Sequence, residues 1–305
     1  MRAPRLRLGL CCQFVAQPIK FRTTTATALA RLTRRERLAK VGELCLRNAN
    51  ALRAALAYAA DNGIGSFRIA SSMLPVKTHP TVGYDVEELP NVAEVVAQFR
   101  RCGDYARAHN LRTGFHPDQF VVLNSPDPEI VRRAVADLVA QAEVAEWTNA
   151  DTINIHVGGA YGDKAAALAR FFRSVEGLPA TVRTRLTVEN DDRTFTPADL
   201  AKPCRTEGLP LVYDVHHHRC CPDGWSVEQA TEAARATWKG REPLFHISSP
   251  LAGWKGPQPS RHHDYIDIKD FPPAWRGLTL TVEVEAKAKE LAVAKLQREL
   301  TEAVY

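Results

Sequence analysis

The feature that most limits how this chain can fold is a rhythm of short apolar runs separated by longer amphipathic ones, repeated about eight times. The runs are Leu6–Cys12, Ser66–Ala70, Arg112–His116, Thr152–Val157, Leu186–Asn190, Leu211–His216, Leu244–Ser248 and Leu278–Glu285. Most are continuous apolar blocks. A strand with one face in water alternates apolar and polar residues, whereas a parallel strand covered on both faces does not.

The stretches between them carry helix signals. Thr33 and Glu36 form a capping box, Leu38, Val41, Cys45, Leu52 and Leu56 recur near helical spacing, and Gly63 supplies a stop. A second helix is expected from about Val92 to Asn110. Asp127-Pro128 opens a third, with Val131, Val135, Leu138 and Ala142 on one face. Thr196-Pro197 and Ser226-Val227-Glu228-Gln229 open two more, and a final helix is expected from about Ala286. Strands and helices in strict alternation predict an α/β fold, a single (β/α)8 TIM barrel over residues 1–305 in which the first strand pairs with the eighth. A doubly wound open sheet is the alternative. Two long polar loops, Gln17–Thr27 and Gly253–His262, are expected to face a substrate.

Composition narrows the class. The chain has 305 residues, 45% apolar and 25% charged, which suits a globular protein with a large core. No apolar stretch approaches the ~18–20 residues needed to span a bilayer, so no membrane partner is expected. Arg2, Arg5 and Arg7 precede Leu8–Val15, but that run is short, is interrupted by Gln13 and lacks a small-residue cleavage site, so it is taken as a buried strand. Seven Cys without a CxxC motif argue against a disulfide framework and for a reducing, cytoplasmic setting, with Cys220-Cys221 plain thiols. A net charge of +5 is compatible with a polyanionic partner without requiring one. Arg7, Arg34, Arg35, Arg37, Arg100, Arg101, Arg132 and Arg133 are expected as solvated surface charge, and the Trp residues as core.

Chemistry is signalled by where His, Asp and Glu fall. His116, His156, Glu189, Asp214, His246 and Glu285 lie in or at the ends of strands three to eight; His216, His217 and His218 follow Asp214, and His262 and His263 lie before the eighth strand. In a parallel barrel all these positions converge on the C-terminal face. Imidazole and carboxylate suit Zn, Mn or Fe, and no Cys joins them. So rich a cluster can hold two or three divalent ions. Two ions about 4 Å apart can activate a water and stabilise a leaving oxygen in phosphodiester hydrolysis.

Several blocks carry a resemblance: Phe67-Arg68-Ile69-Ala70-Ser71-Ser72 with His79-Pro80, His116-Pro117-Asp118-Gln119-Phe120, Asn124-Ser125-Pro126, His156-Val157-Gly158-Gly159-Ala160-Tyr161-Gly162-Asp163-Lys164, Glu189-Asn190-Asp191, Asp214-Val215-His216-His217, His246-Ile247-Ser248-Ser249 and Val284-Glu285-Ala286-Lys287. In order and over most of the chain, this set resembles the UV damage endonucleases, barrels similar to endonuclease IV that nick DNA 5′ to UV photoproducts and some other lesions. The resemblance implies divalent metal, commonly Mn, and no ATP. It implies metal ligands at His116, His156, Glu189, Asp214, His217, His246, His262 and Glu285, with Glu189, Glu285 and His116 catalytic. Such enzymes insert a Gln–Tyr pair into the duplex, matched here by Gln119-Phe120. Leu10, His79 and Arg68 are carried over as further substrate-binding positions.

Two positions depart from the family pattern. A modified lysine expected two residues before His246 is Leu244, which bears on whether a third ion is held. A Tyr expected near the end of the first strand is Leu10. The function implied is hydrolysis 5′ to a lesion in double-stranded DNA by a monomer. An abasic-site endonuclease, a metal-dependent sugar isomerase and a catalytically silent binder of damaged DNA are the alternatives.

Overall fold

The computed structural model describes residues 6–302, so Arg2 and Arg5 lie outside the described residues. Eight strands, β1 (Leu6–Cys11), β2 (Ser66–Ile69), β3 (Arg112–Phe115), β4 (Thr152–His156), β5 (Leu186–Glu189), β6 (Leu211–Asp214), β7 (Leu244–Ile247) and β8 (Leu280–Val284), form one closed barrel in sequence order. Every neighbouring pair is parallel, and Leu6↔Leu280 to Leu10↔Val284 closes the ring. The open-sheet alternative is excluded. Each strand boundary falls within two residues of its expected place.

Helices α1 (Ala26–Ala30), α2 (Arg34–Asp61), α3 (Val92–Ala108), α4 (Pro128–Thr148), α5 (Lys164–Glu176), α6 (Ala180–Arg183), α7 (Pro197–Glu207), α8 (Val215–Cys220), α9 (Val227–Thr237) and α10 (Glu290–Glu302) lie between and after the strands. Their starts are chemically specified. Thr33 and Glu36 close the expected capping box on α2, and Asp127 accepts from Glu129 N–H with Pro128 at the first turn of α4. Thr196–Asp199 and Ser226–Gln229 form capping boxes on α7 and α9.

The one boundary that matters for the site is at β6. Asp214 ends the strand, and its Oδ1 accepts from His217 N–H at 2.8 Å, starting α8. His216, His217 and His218 therefore sit on a helical turn, where consecutive residues fan out, and not on an extended strand.

Inward and outward positions alternate along each strand. Leu10 is fully buried and pairs with Phe67 and Val284, on the opposite side of β1 from Gly9, whose Cβ would meet Glu283 inside the barrel. Leu10 thus packs in the core beneath the helices and is corrected from a substrate-contacting position to a core one. Arg7 is corrected too: it is half-buried, pairs with Glu242 at 2.9 Å and donates to the Asn110 carbonyl at 2.6 Å. Leu244 is buried with Val212 and Trp238, the second apolar cluster of the core, and offers no donor group. Among the tryptophans, Trp238 and Trp275 are core as expected, whereas Trp254 is 36% exposed.

Candidate metal centre

At the C-terminal face the polar strand ends meet around Glu189. This carboxylate, at the end of β5, is fully buried. Asn154 donates to its Oε2 at 2.5 Å and is itself held by Thr187, which fixes the carboxylate plane. The Oε1 atom is left without a hydrogen-bond partner. His116 Nε2 lies 3.0 Å from Oε2, His246 Nδ1 lies 3.1 Å from Oε1, and His217 Nδ1 lies 3.3 Å from Oε1. His156 Nε2 stands 3.9 Å away. Glu285 joins through Oε1, 3.4 Å from His246 Nδ1, and His262 Nδ1 is 3.8 Å from Glu285 Oε2.

Among the described residues three groups have ligand atoms within 4.8 Å of one another: His116, His156 and Glu189; His116, His246 and Glu285; Glu189, Asp214 and His217; His262 stands beside Glu285 and belongs to none of them. Two atoms each about 2.1 Å from one ion lie about 3.0–3.4 Å apart at right-angled or tetrahedral geometry, which the shorter contacts match. A cation also accounts for what hydrogen bonding leaves open. Glu189 Oε1, Asp214 Oδ2 and His246 Nδ1 are all buried and unpartnered, and such groups are costly unless something binds them. Asp214 shows the division of labour: one oxygen caps α8 and the other is free. For His116, donation from Nδ1–H to the Pro117 carbonyl at 3.1 Å leaves the Nε2 lone pair facing inward. The residues fit a divalent centre.

Charge is arranged accordingly. Burial alone would raise the Glu189 carboxyl, but the imidazoles around it, His246 and His156 foremost and then His116 and His217, hold it well below the usual carboxylate range. Glu285, also opposed by burial, is held down by Arg68 and His246. Burial disfavours protonated His246, yet Glu189 outweighs it and pushes the imidazole up to about 10. His217 rises well above its ordinary value, with Asp214 and Glu189 overcoming burial. His156 moves down, because burial is the larger influence there.

The remaining expected positions separate clearly. Gln119 and Phe120 project from a turn after β3 in which Asp118 accepts from Phe120 N–H at 3.1 Å. Phe120 is 79% exposed. His79 is half-buried in its own loop, accepts from Thr81 N–H, and belongs to none of the converging groups. Arg68 is corrected from a substrate contact: it is 8% exposed and bonded to Glu283 at 2.5 Å, Glu285 at 2.6 Å and His246 at 3.1 Å. His218 bridges Tyr213 and Asp223, and His263 receives Tyr265 N–H, so neither faces the cluster's ligand atoms. His216 is fully buried with both ring nitrogens unpartnered, its ring 5.2 Å from those of Trp254 and His262. Glu283, buried below Glu285, was not anticipated from sequence; its inward parity with Glu285 is the signal that marks it.

The family model for the UV-endonuclease UvdE matches residues 6–304. This chain belongs to that family. A UV DNA damage endonuclease of Bacillus velezensis is 35% identical over 303 residues, covering 95% of this chain and 91% of the relative. One from Bacillus cereus is 32% identical over 291 residues, covering 92% and 89%. The crystal structure of SacUVDE superposes with a TM-score of 0.87 at 27% identity over 98% of this chain and 99% of that one. Endonuclease IV from Thermus thermophilus superposes with a TM-score of 0.61 at 17% identity, covering 98% of each chain, which shows a shared barrel. A D-psicose 3-epimerase of Clostridium cellulolyticum likewise shares the fold, with a TM-score of 0.55 at 14% identity over 82% of this chain and 91% of that one. Among the described residues no helix is long and apolar enough to cross a membrane.

Proposed function

We propose that this UV-endonuclease family member hydrolyses one phosphodiester bond in duplex DNA, on the 5′ side of a UV photoproduct, with divalent metal at the cluster around Glu189. The observation that carries the proposal is the set of orphaned buried donors at the C-terminal rim, close in sequence and fold to an exposed aromatic turn. His116, His156, Glu189, Asp214, His217, His246, His262 and Glu285 would hold the ions, manganese by preference and two or three in number. When bound, divalent ions lower the pKa of water and neutralise charge developing on a phosphate.

The chain's own residues do the rest. Glu189 presents its free Oε1 toward His246 Nδ1 at 3.1 Å, while His217 is oriented by its Nδ1 contact to the Asn190 carbonyl at 3.0 Å, so both would help to hold an ion. His116, fixed through the Pro117 carbonyl, and Glu285, braced by Arg68, define the sides of the site. Gln119 and Phe120 would enter the duplex at the lesion, where opening a damaged step is cheaper than opening an intact one. One lesion and one site require only a monomer.

Nicking of a labelled duplex with a single cyclobutane thymine dimer tests this, run with Mn and with EDTA. A metal-dependent cut immediately 5′ to the dimer is expected. Folded, metal-loaded protein that leaves the strand intact would overturn the proposal.

A further inference from the structure

β8 points two carboxylates into the barrel, Glu283 and Glu285, two residues apart. Glu285 lies at the rim beside His246 and His262. Glu283 lies one layer deeper, is 2% exposed, and is the register partner of His246 on β7. A carboxylate in that position is costly to bury, and Arg68 offsets the cost with an Nε–Oε2 contact of 2.5 Å. The barrel also makes room for it: a Cβ on Gly9 would come within 3.1 Å of Glu283 Cγ.

The two ring nitrogens of His246 meet different surroundings. Nδ1 faces Glu189 Oε1 at 3.1 Å and Glu285 Oε1 at 3.4 Å, and it makes no hydrogen bond. Nε2 faces Glu283 Oε2 at 3.2 Å and Arg68 at 3.1 Å. A guanidinium only donates. With Arg68 as its sole neighbour, Nε2 of the neutral ring would be the acceptor, which places the proton on Nδ1 and blocks the nitrogen that faces the other ligands. A carboxylate only accepts, so it draws the proton to Nε2 and leaves the Nδ1 lone pair open.

We infer that Glu283 is a positioning residue that selects the metal-binding tautomer of His246, with Arg68 as its counter-cation. This rests on the cluster being a divalent-metal centre. Arg68 and His246 Nε2 both meet the same oxygen of Glu283, so in a Glu283→Gln variant a neutral amide oxygen, a weaker acceptor, replaces the carboxylate there and the hold on the Nε2 proton weakens.

The test is Mn binding without DNA, by calorimetry or by electron paramagnetic resonance, together with nitrogen-15 NMR of the histidines in Zn-loaded protein. Wild-type protein is expected to show His246 coordinated through Nδ1 with a proton on Nε2. Glu283→Gln is expected to lose about 10- to 100-fold in affinity for the ion at His246 and to lose that signature. Wild-type affinity with an unchanged tautomer in the variant would remove Glu283's role and leave the metal centre standing. Failure of wild-type protein to bind Mn would remove both. A double variant, Arg68→Met with Glu283→Leu, keeps the charge balanced should the single variant not fold. It is expected to stay weak and to lack the signature. Recovery of both would show that Glu283 serves only to neutralise Arg68.

Discussion

Loading the centre with metal should expel protons. A ligand nitrogen cannot hold a proton and an ion together. In the metal-free protein His246 is held up to about 10 and so is charged at pH 7.5, and His217 is held well above its ordinary value. Glu189 and Glu285 are held well below the usual range and are already ionised, while His156 is pushed down and is already neutral. His246 therefore accounts for a release of about one proton per chain at pH 7.5, the raised His217 adds to it, and the overall loading constant should rise with pH. Stability moves the other way. A raised folded-state value stabilises the metal-free fold below the unfolded value near 6.5, and that contribution is lost as pH rises through about 10. Calorimetric Mn titration in buffers of different ionisation enthalpy measures the proton count directly. Heats independent of the buffer, or a release well below one proton, would refute the charge assignment.

Three further outcomes are expected. Phe120→Ala should leave the melting temperature unchanged, because the ring is 79% exposed, yet weaken binding to a dimer-containing duplex by about 5- to 150-fold, the range for one lost stacking contact; equal affinities would remove the wedge role. Asp214→Asn keeps an oxygen to cap α8 but replaces the free carboxylate oxygen with an amide, so helix content should hold while Mn affinity falls more than tenfold; circular dichroism beside a metal titration separates the two effects. Lesion-duplex affinity should fall linearly with salt on a double-logarithmic plot, and a flat line would argue against phosphate contacts.

The barrel was legible because strands covered on both faces leave unbroken apolar runs, and the convergence of His, Asp and Glu because all parallel strands end on one face. What escaped was direction. Thr281 and Glu283 in β8 look, in sequence, like the wet side of an amphipathic strand, yet inside a barrel the polar side is the interior. Arg68, carried over by the resemblance as a substrate-binding position, has its guanidinium spent on Glu283 and Glu285, because it too points into the barrel. Leu10 came from the family pattern, which does not carry strand parity: Gly9 points inward and Leu10 outward. The triple histidine was legible as a cluster but not as a division of tasks, because that follows from Asp214 turning the strand into a helix, a capping event that run-length and apolarity do not reveal.

The loop after β7 has a neck. Pro250 and His262 form an antiparallel bridge, Leu251 N–H reaches the Arg261 carbonyl at 2.7 Å, and His263 N–H reaches Ser249 at 2.8 Å. Trp254, tied to Asp270 at 2.8 Å, pins the near side of the loop against His216. What lies beyond, from Lys255 to Ser260, closes on the neck only through local turns, Gly256 N–H to the Gly253 carbonyl and Arg261 N–H to the Gln258 carbonyl, each at 3.0 Å. The position of the His262 imidazole is set by the neck, so exchanges in the turn beyond it can change the outer rim while that imidazole stays where it is.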